Sequence, residues 1–231
     1  MPRRGLDEEM LKQIRWNLRE EAKSLPPFDE CPTTQHLFLM NIIIWNCRGT
    51  LKPSFQIVEK AKDISSRLPF DGATHTNSIG YAGGLWMLCN SNRVEVTTLS
   101  STEQEIHVVV KVISSSSSWL FTVVYVSHRS AKRHILWDNL NKVAELHNMP
   151  WVVAGDFNEL LLDEDKFEGR VVSVNKSLLF KECLDNCAMI DIGFSGPCFT
   201  WTNKREIQAL IKERIDRFFV NASWCLLYPD T

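Results

Sequence analysis

The 231-residue sequence lacks several features that would place a protein in a class at once. It has seven cysteines but no CxxC pair, so the common zinc and dithiol motifs are excluded. No apolar run approaches the roughly 18 residues that a membrane span needs. Acidic residues rather than an apolar segment follow Arg3 and Arg4, so no signal peptide is predicted. No internal repeat is visible.

A strong excess of positive charge is also missing. Lysine and arginine number 26 against 28 aspartates and glutamates, which gives a net charge of −2 and a sequence pI near 6.3. This balance excludes a protein that holds nucleic acid mainly through bulk charge, although an enzyme needs only a local basic rim. Cys183 and Cys187 lie four residues apart in an apolar helical pattern, which favours buried free thiols in an intracellular, reducing environment.

The composition divides the chain into two parts. Residues 1–39 contain a charged helical pattern over 6–25 and then Pro26, Pro27 and Pro32, which predicts a poorly ordered helix and linker. From about residue 40 the composition becomes that of a core, and we expect residues 40–231 to form one domain. An α/β domain is indicated, because apolar strand-like runs alternate with two amphipathic helices.

The strand and helix predictions rest on hydrophobic periodicity. The three valine-rich runs 93–100, 105–114 and 118–127 predict an antiparallel meander. A helix is predicted over 131–149, with one apolar face formed by Ile135, Leu136, Leu140, Val143, Ala144 and His147. The other predicted elements are strands within 37–49, 83–90, 150–158, 197–203 and 213–221 and helices over 51–70 and 176–190.

Polar residues end three of the predicted strands. Asn46 follows IIIW, Asp156 and Asn158 follow WVVAG, and Asp216 stands within ERIDRFF. Each has an ordinary interpretation: a strand cap, turn formers, and an ion pair of Asp216 with Arg214 or Arg217. Together they suggest a site for Mg²⁺ and a phosphate, because Mg²⁺ prefers oxygen ligands and phosphodiester hydrolysis needs an acceptor that orients water.

Five short motifs follow one another along the chain: IIIWNCRG, VVYVSHR, WVVAGDFNE, FTWTN and ERIDRFFVNASW. In this order they resemble the endonuclease/exonuclease/phosphatase superfamily, which has the DNase I-like fold. Longer stretches, including GGLWMLCNS and RIDRFFVNASWCLLYPD, are similar to the endonuclease domain of plant non-LTR retrotransposon polyproteins. The resemblance covers about residues 40–231 and implies a four-layer α/β sandwich with a site at one edge of two packed sheets.

The resemblance also implies roles for individual residues. Asn46 would help to position Mg²⁺, and Tyr125 would contact the scissile phosphate. Asp156 would orient the attacking water, Asn158 would hold the phosphate, and Asp216 would orient a catalytic histidine.

The implied partner is DNA, which such retrotransposon domains nick to prime reverse transcription. Trp201 and Arg205 lie where these enzymes contact DNA. Nuclear residence is implied as well, yet no basic import tract is visible. Neither a membrane nor a small-molecule cofactor is expected, and the sequence does not predict an oligomeric state.

Two parts of the family pattern are missing. The family has a metal-binding glutamate at the end of its second core strand, but here only Glu59 follows apolar residues, ten residues after Gly49. A parallel crossover needs roughly 10–12 residues or more, and Glu59 also fits a continuing helix. We therefore infer a truncated fold without a helix–strand unit after the first strand. The C-terminal Ser-Asp-His strand is also missing, and none of the six histidines follows an aspartate.

Three functions are compatible with this sequence. The first is a degenerate endonuclease-like domain, ancestrally Mg²⁺-dependent, whose hydrolysis of phosphodiesters is abolished or severely impaired, since catalytic groups that act as one unit are strongly non-additive. The second is an active Mg²⁺-dependent DNA endonuclease that uses Glu59 or another acid. The third is a non-catalytic nucleic-acid-binding module.

Overall fold

The valine-rich runs form three consecutive strands on one side of a six-stranded sheet, as their β-branched side chains favour. The structure is a computed structural model, and it describes residues 42–46, 70–76, 85–115, 117–169, 174–194, 198–203 and 205–229. Within these ranges the strands are β1 (Ile43–Asn46), β2 (Gly72–His75), β3 (Leu85–Cys89), β4 (Val94–Ser101), β5 (Glu105–Val112), β6 (Ser118–Tyr125), β7 (Trp151–Asp156), β8 (Lys166–Phe167), β9 (Met189–Asp191), β10 (Trp201–Thr202), β11 (Lys212–Glu213) and β12 (Asp216–Asn221). The helices are α1 (Ser130–Leu146), α2 (Val174–Asn186) and α3 (Ala222–Leu227).

The strand order of the large sheet is β4-β5-β6-β7-β12-β9. Strands β4, β5 and β6 pair antiparallel in sequence order, so the predicted meander is confirmed. Strands β6 and β7 are parallel because α1 connects them. Strand β12 then pairs antiparallel with β7 and places the ends of three strands side by side.

Each face of this sheet covers its own core. Three-stranded sheet β1-β3-β2 supplies Leu85 and Met87 to one core, together with Trp119 and Trp224. Helices α1 and α2 cover the other face. The mixed α/β class is therefore confirmed, and three of the four expected layers are described. The helices predicted over 6–25 and 51–70 lie outside the described residues, as does Glu59.

Two details of the helix predictions are wrong. Ile135 is 57% exposed, whereas Trp137 is buried and stacks on Phe180 of α2 with ring centroids 5.0 Å apart. Burial of the large Trp137 ring against Phe180 stabilises the packing of the helix more than burial of the Ile135 side chain would. The helix predicted over 176–190 ends at Asn186, and Met189–Asp191 instead forms edge strand β9.

The predicted state of two cysteines is confirmed. Cys183 and Cys187 are free thiols and are 2% and 6% exposed in the core beneath α1 and α2. A side-chain hydrogen bond with Cys187 and burial raise the pKa of the Cys183 thiol, which favours its neutral form. Among the helices that the structure describes, none combines the length and apolar character of a membrane-crossing segment.

Helix α3 provides a direct test of the core between the sheets. Trp224 is 1% exposed, and its ring meets that of Trp119 edge-on with ring centroids 4.9 Å apart. We predict that Trp224→Ala lowers the free energy of unfolding by about 3–5 kcal/mol, because it leaves a large cavity. Urea unfolding followed by circular dichroism measures this loss. Leu226→Ala on the same helix is the control, since Leu226 is 85% exposed, and a loss for Trp224→Ala no larger than the control's would contradict the packing.

Candidate functional site

Three predicted site residues are joined by strand register. Tyr125 of β6 pairs directly with Asp156 of β7, and Asp156 pairs directly with Asp216 of β12. Directly paired residues on neighbouring strands project from the same face of a sheet. That face carries the core shared with sheet β1-β3-β2, in which Tyr125 is buried at 5% exposure. The fold therefore brings these three residues together at neighbouring ends of the inner strands β6, β7 and β12.

Gly155 explains why the apolar run of β7 can stop beside its neighbour. Its φ of +141° lies in the region that L side chains rarely adopt. A Cβ atom on residue 155 would lie 2.0 Å from the carbonyl oxygen of Val124 in β6. The absence of a side chain thus permits the close approach of β6 and β7 just before Asp156.

Asn158 has an unusual backbone conformation with specific contacts. Its φ is +46°, the left-handed region in which asparagine is enriched among non-glycine residues. Its backbone N–H donates to Asp156 Oδ1 at 2.9 Å, and its side-chain Nδ2 donates to the Val126 carbonyl at 2.8 Å. The turn interpretation is therefore correct for the backbone of GDFN, while the side chain also joins β6 to the loop after β7.

Asp216 is held by Thr200 at the start of β12. The Thr200 hydroxyl accepts hydrogen bonds from the backbone N–H groups of Ile215 and Asp216, at 3.2 and 3.1 Å. The side chain of Asp216 keeps solvent access, but the neighbouring strands partly desolvate its carboxyl and raise its pKa above 3.8, an effect that the Thr200 hydroxyl hydrogen bond opposes. Sequence reasoning missed Thr200, because nothing local links residue 200 to residue 216.

The arginines flanking Asp216 have other ion-pair partners. Arg214 and Arg217 both form ion pairs with Asp165 and Asp191. The alternative that the motif ERIDR is a local ion pair of Asp216 with its neighbours is replaced by this longer-range arrangement. Sequence reasoning missed both aspartates, because no local pattern distinguishes Asp165 in the predicted polar loop or Asp191 in the edge strand.

A further ion pair holds the residue after GDFN. The buried side chain of Glu159 pairs with Arg133, which is 8% exposed on α1. Arg133 Nε also donates to the Ser127 carbonyl at 2.7 Å, in the loop that follows β6. The sequence offered one signal for a functional or structural role of Glu159: it is a charged residue placed between Asn158 and the apolar run 160–162.

Of the two predicted DNA-contacting residues, Trp201 follows Thr200 directly along the chain. Trp201 is 42% exposed in β10 and pairs with Glu213 of β11. Arg205 is exposed, and its backbone N–H donates to Asn203 Oδ1 at 3.3 Å. The place of Trp201 next to Thr200, which bonds to the start of β12, is compatible with the role that the resemblance implies. For both residues that role remains a prediction.

The described side chains do not by themselves form a metal centre. Asp156 and Asp216 offer two carboxylates on one face, a number that Mg²⁺ can use together with substrate phosphate. However, no group of three or more His, Cys, Asp or Glu among the described residues is arranged to hold a metal ion. The backbone of Asn46 ends β1 opposite Leu85, but its side chain and Glu59 lie outside the described part. The Mg²⁺ site therefore remains a prediction.

Comparison with known families assigns the chain to one of them. Residues 32–231 match the Endonuclease/Exonuclease/phosphatase family. The chain belongs to this family. The family resemblance seen in the sequence is thus confirmed, while closeness to the plant members remains a prediction. No curated protein matches the chain.

Solved structures of the endonuclease/exonuclease/phosphatase family show the same fold. The AP endonuclease LMAP from Leishmania major superposes with a TM-score of 0.52 at 16% identity, over 66% of this chain and 63% of that one. This chain therefore spans less than two thirds of that structure. The endonuclease domain of TRAS1, a telomere-specific non-LTR retrotransposon, gives a TM-score of 0.52 at 11% identity over 73% and 80%. At these identities the likeness concerns the fold alone.

The close approach at Gly155 predicts a strong effect of one added methyl group. We expect Gly155→Ala to lower the free energy of unfolding by more than about 4 kcal/mol, because the new Cβ collides with backbone and β6 must move. Chemical denaturation measures the change. Gly193→Ala is the matched control: its φ is +81° and no heavy atom lies within 4 Å, so only strain of roughly 1–2 kcal/mol is expected. Equal losses in both variants would contradict the close contact.

The raised pKa of Asp216 predicts how stability depends on pH. Between pH 3.8 and the raised folded-state pKa, the folded state binds more protons than the unfolded state, so stability falls as the pH rises through this window. Asp216→Asn lacks this penalty. It should match the parent below pH 3.8 and be more stable above the window, as measured by urea unfolding at a series of pH values.

The pKa of Asp71 is shifted in the opposite direction from that of Asp216. The hydroxyl and backbone N–H of Ser91 donate to its carboxylate at 2.5 and 2.7 Å and lower its pKa below 3.8. Its contribution to stability is present above pH 3.8 and disappears as the pH falls through the lowered value. Asp71→Asn should therefore lose stability at neutral pH, and the same sign for both variants would refute the assignment for Asp216.

Proposed function

We propose that this chain is a degenerate endonuclease-like domain derived from a non-LTR retrotransposon, with DNA as its ligand and severely impaired hydrolysis of phosphodiesters. The observation that carries the proposal is the direct register of Tyr125, Asp156 and Asp216 on one face, with Asn158 fixed beside them. Acidic and amide side chains at the ends of buried strands are the groups that a phosphodiesterase uses to orient water and to hold phosphate.

Each residue has a role in this proposal. The Asp156 carboxylate accepts hydrogen bonds and would orient a water molecule toward phosphorus. The Asn158 amide nitrogen carries two hydrogens, so the bond to Val126 leaves a second N–H for a phosphate oxygen. Tyr125 would contact the phosphate with its hydroxyl, although its burial at 5% exposure leaves only a narrow approach.

Impaired hydrolysis follows from the surroundings of Asp216. The role implied by the family is to orient a histidine, whereas here the Thr200 hydroxyl is the hydrogen-bond partner of the Asp216 side chain. General acid–base groups contribute about 10²–10⁴ in rate, and groups that act as a unit fail together. The proposed loss of a helix–strand unit between β1 and β2, and with it the metal-binding glutamate, would act in the same direction.

DNA is the proposed partner because an exposed aromatic side chain follows Thr200, the residue that bonds to Asp216, and an exposed basic side chain lies further along the same segment. Trp201 could stack on a base, and Arg205 could neutralise a phosphate. With a net charge of −2, binding must come from local positive charge, so affinity should be modest and should fall as salt increases.

Plasmid nicking tests this proposal. We expect supercoiled plasmid incubated with Mg²⁺ and the parent chain to be nicked no faster than with Asp156→Ala, while both proteins bind a 20-base-pair duplex. Nicking by the parent that disappears in Asp156→Ala would instead establish an active endonuclease. Absence of salt-sensitive duplex binding would refute DNA as the ligand.

A further inference from the structure

Three buried charged side chains and one partly exposed carboxylate form an ion network on segments that surround the candidate site. Arg217 Nη1 donates to Asp191 Oδ2 at 2.6 Å, and its Nη2 pairs with Asp165 Oδ2. Arg214 Nη2 contacts both oxygens of Asp191, at 3.0 and 3.2 Å, and its Nη1 lies 3.8 Å from Asp165 Oδ1. Each arginine therefore bridges the same two aspartates, which will be called the arginine–aspartate network.

The centre of this network is almost inaccessible to water. The side chains of Arg217 and Asp165 are 1% and 5% exposed, and those of Arg214 and Asp191 are 11% and 24% exposed. Desolvation of buried charges offsets much of their mutual attraction, so such a network is weak evidence of a gain in stability. Its effect on geometry is more direct, because a guanidinium group can hold two carboxylates through separate nitrogen atoms.

The network holds the loop that follows Asp156 and Asn158. Asp165 Oδ2 accepts the backbone N–H groups of Leu161 and Leu162 at 3.1 and 2.9 Å. The backbone N–H of Arg214 donates to the Asp165 carbonyl at 2.8 Å. At the other end of the same loop, the N–H of Phe157 donates to the Ile215 carbonyl at 2.8 Å. Both ends of the loop are thereby attached to the segment that leads into β12.

Arg217 projects away from the candidate site. Successive side chains of a strand alternate between faces, so Arg217 lies on the opposite face of β12 from Asp216. Its other carboxylate partner, Asp191, is in the edge strand β9. Arg217 thus connects the loop after β7, the strand that carries Asp216 and the next strand in the sheet, from beneath the site.

We infer that Arg217 is a positioning residue for the candidate site, and that it acts through its bonds to Asp165 and Asp191 rather than by binding phosphate. It keeps the loop 157–165 and β12 in the arrangement that places Asp156, Asn158 and Asp216 side by side. The geometric effect does not depend on the proposed function, whereas its consequence for DNA binding rests on that function.

The test follows the loop itself and compares two substitutions of Arg217. Arg217→Lys keeps the positive charge, but its single ammonium group cannot reproduce two separate nitrogen contacts. Arg217→Met removes the charge. In both we expect the Asn158 side-chain amide resonances to shift, and hydrogen-exchange protection of the Phe157 and Asn158 amides to fall by roughly tenfold or more. Asp165→Asn should produce the same changes from the other end of the pair.

The stability readout separates positioning from a structural role. Arg217→Lys should unfold at a urea concentration close to that of the parent, yet still show the displaced Asn158 signals. If Arg217→Met does not fold, Arg217→Lys and Asp165→Asn decide the question. Lys111→Met, which removes one partner of the exposed pair with Glu95, is the control and should leave the Asn158 signals unchanged.

The outcomes distinguish this inference from the proposed function. A folded Arg217→Lys protein with the parent's Asn158 signals and exchange rates would overturn the inference. Displaced Asn158 signals support it, and weaker binding of the 20-base-pair duplex by the variant adds the expected functional consequence. Displaced signals in a protein whose parent binds no duplex would support the positioning role and refute the proposed function alone.

Discussion

The register of three neighbouring strands is the constraint on which the site depends. Val124 and Gly155 pair across β6 and β7 one position before Tyr125 and Asp156, and the same ladder continues to Asp216 in β12. A shift of one residue would move every side chain of a strand to the opposite face. The missing Cβ of Gly155 therefore fixes more than local packing, because it permits the approach that sets the neighbours of Asp156.

This arrangement stabilises the strands but places unfavourable groups at their ends. Two carboxylates stand directly opposite one another, the pKa of Asp216 is raised by burial, and Asn158 adopts a positive φ. Like charges paired across strands destabilise a sheet, and conflicts between local preference and fold concentrate at functional sites. The surrounding ion pairs, Glu159 with Arg133 and Asp165 with Arg217, hold the loop in spite of these effects.

The elements with strong local patterns were predictable. The valine-rich meander and the strand that ends at Asp156 follow from hydrophobic periodicity, and family membership follows from five ordered motifs. The buried face of α1 was predicted incorrectly at Ile135, because the contact of Trp137 with Phe180 decides the rotation of the helix. Strand β9 was also missed, since an edge strand of three residues has little periodicity of its own.

The sequence by itself determined which polar residues end the strands and which chemistry their side chains can perform. Only the tertiary structure decided their partners: Thr200 for Asp216, and Asp165 and Asp191 for the arginines that flank it. The physical reason is range. Strand alternation and turn formation depend on neighbours along the chain, whereas an ion pair or a hydrogen bond between distant segments forms only after the sheet has set their register.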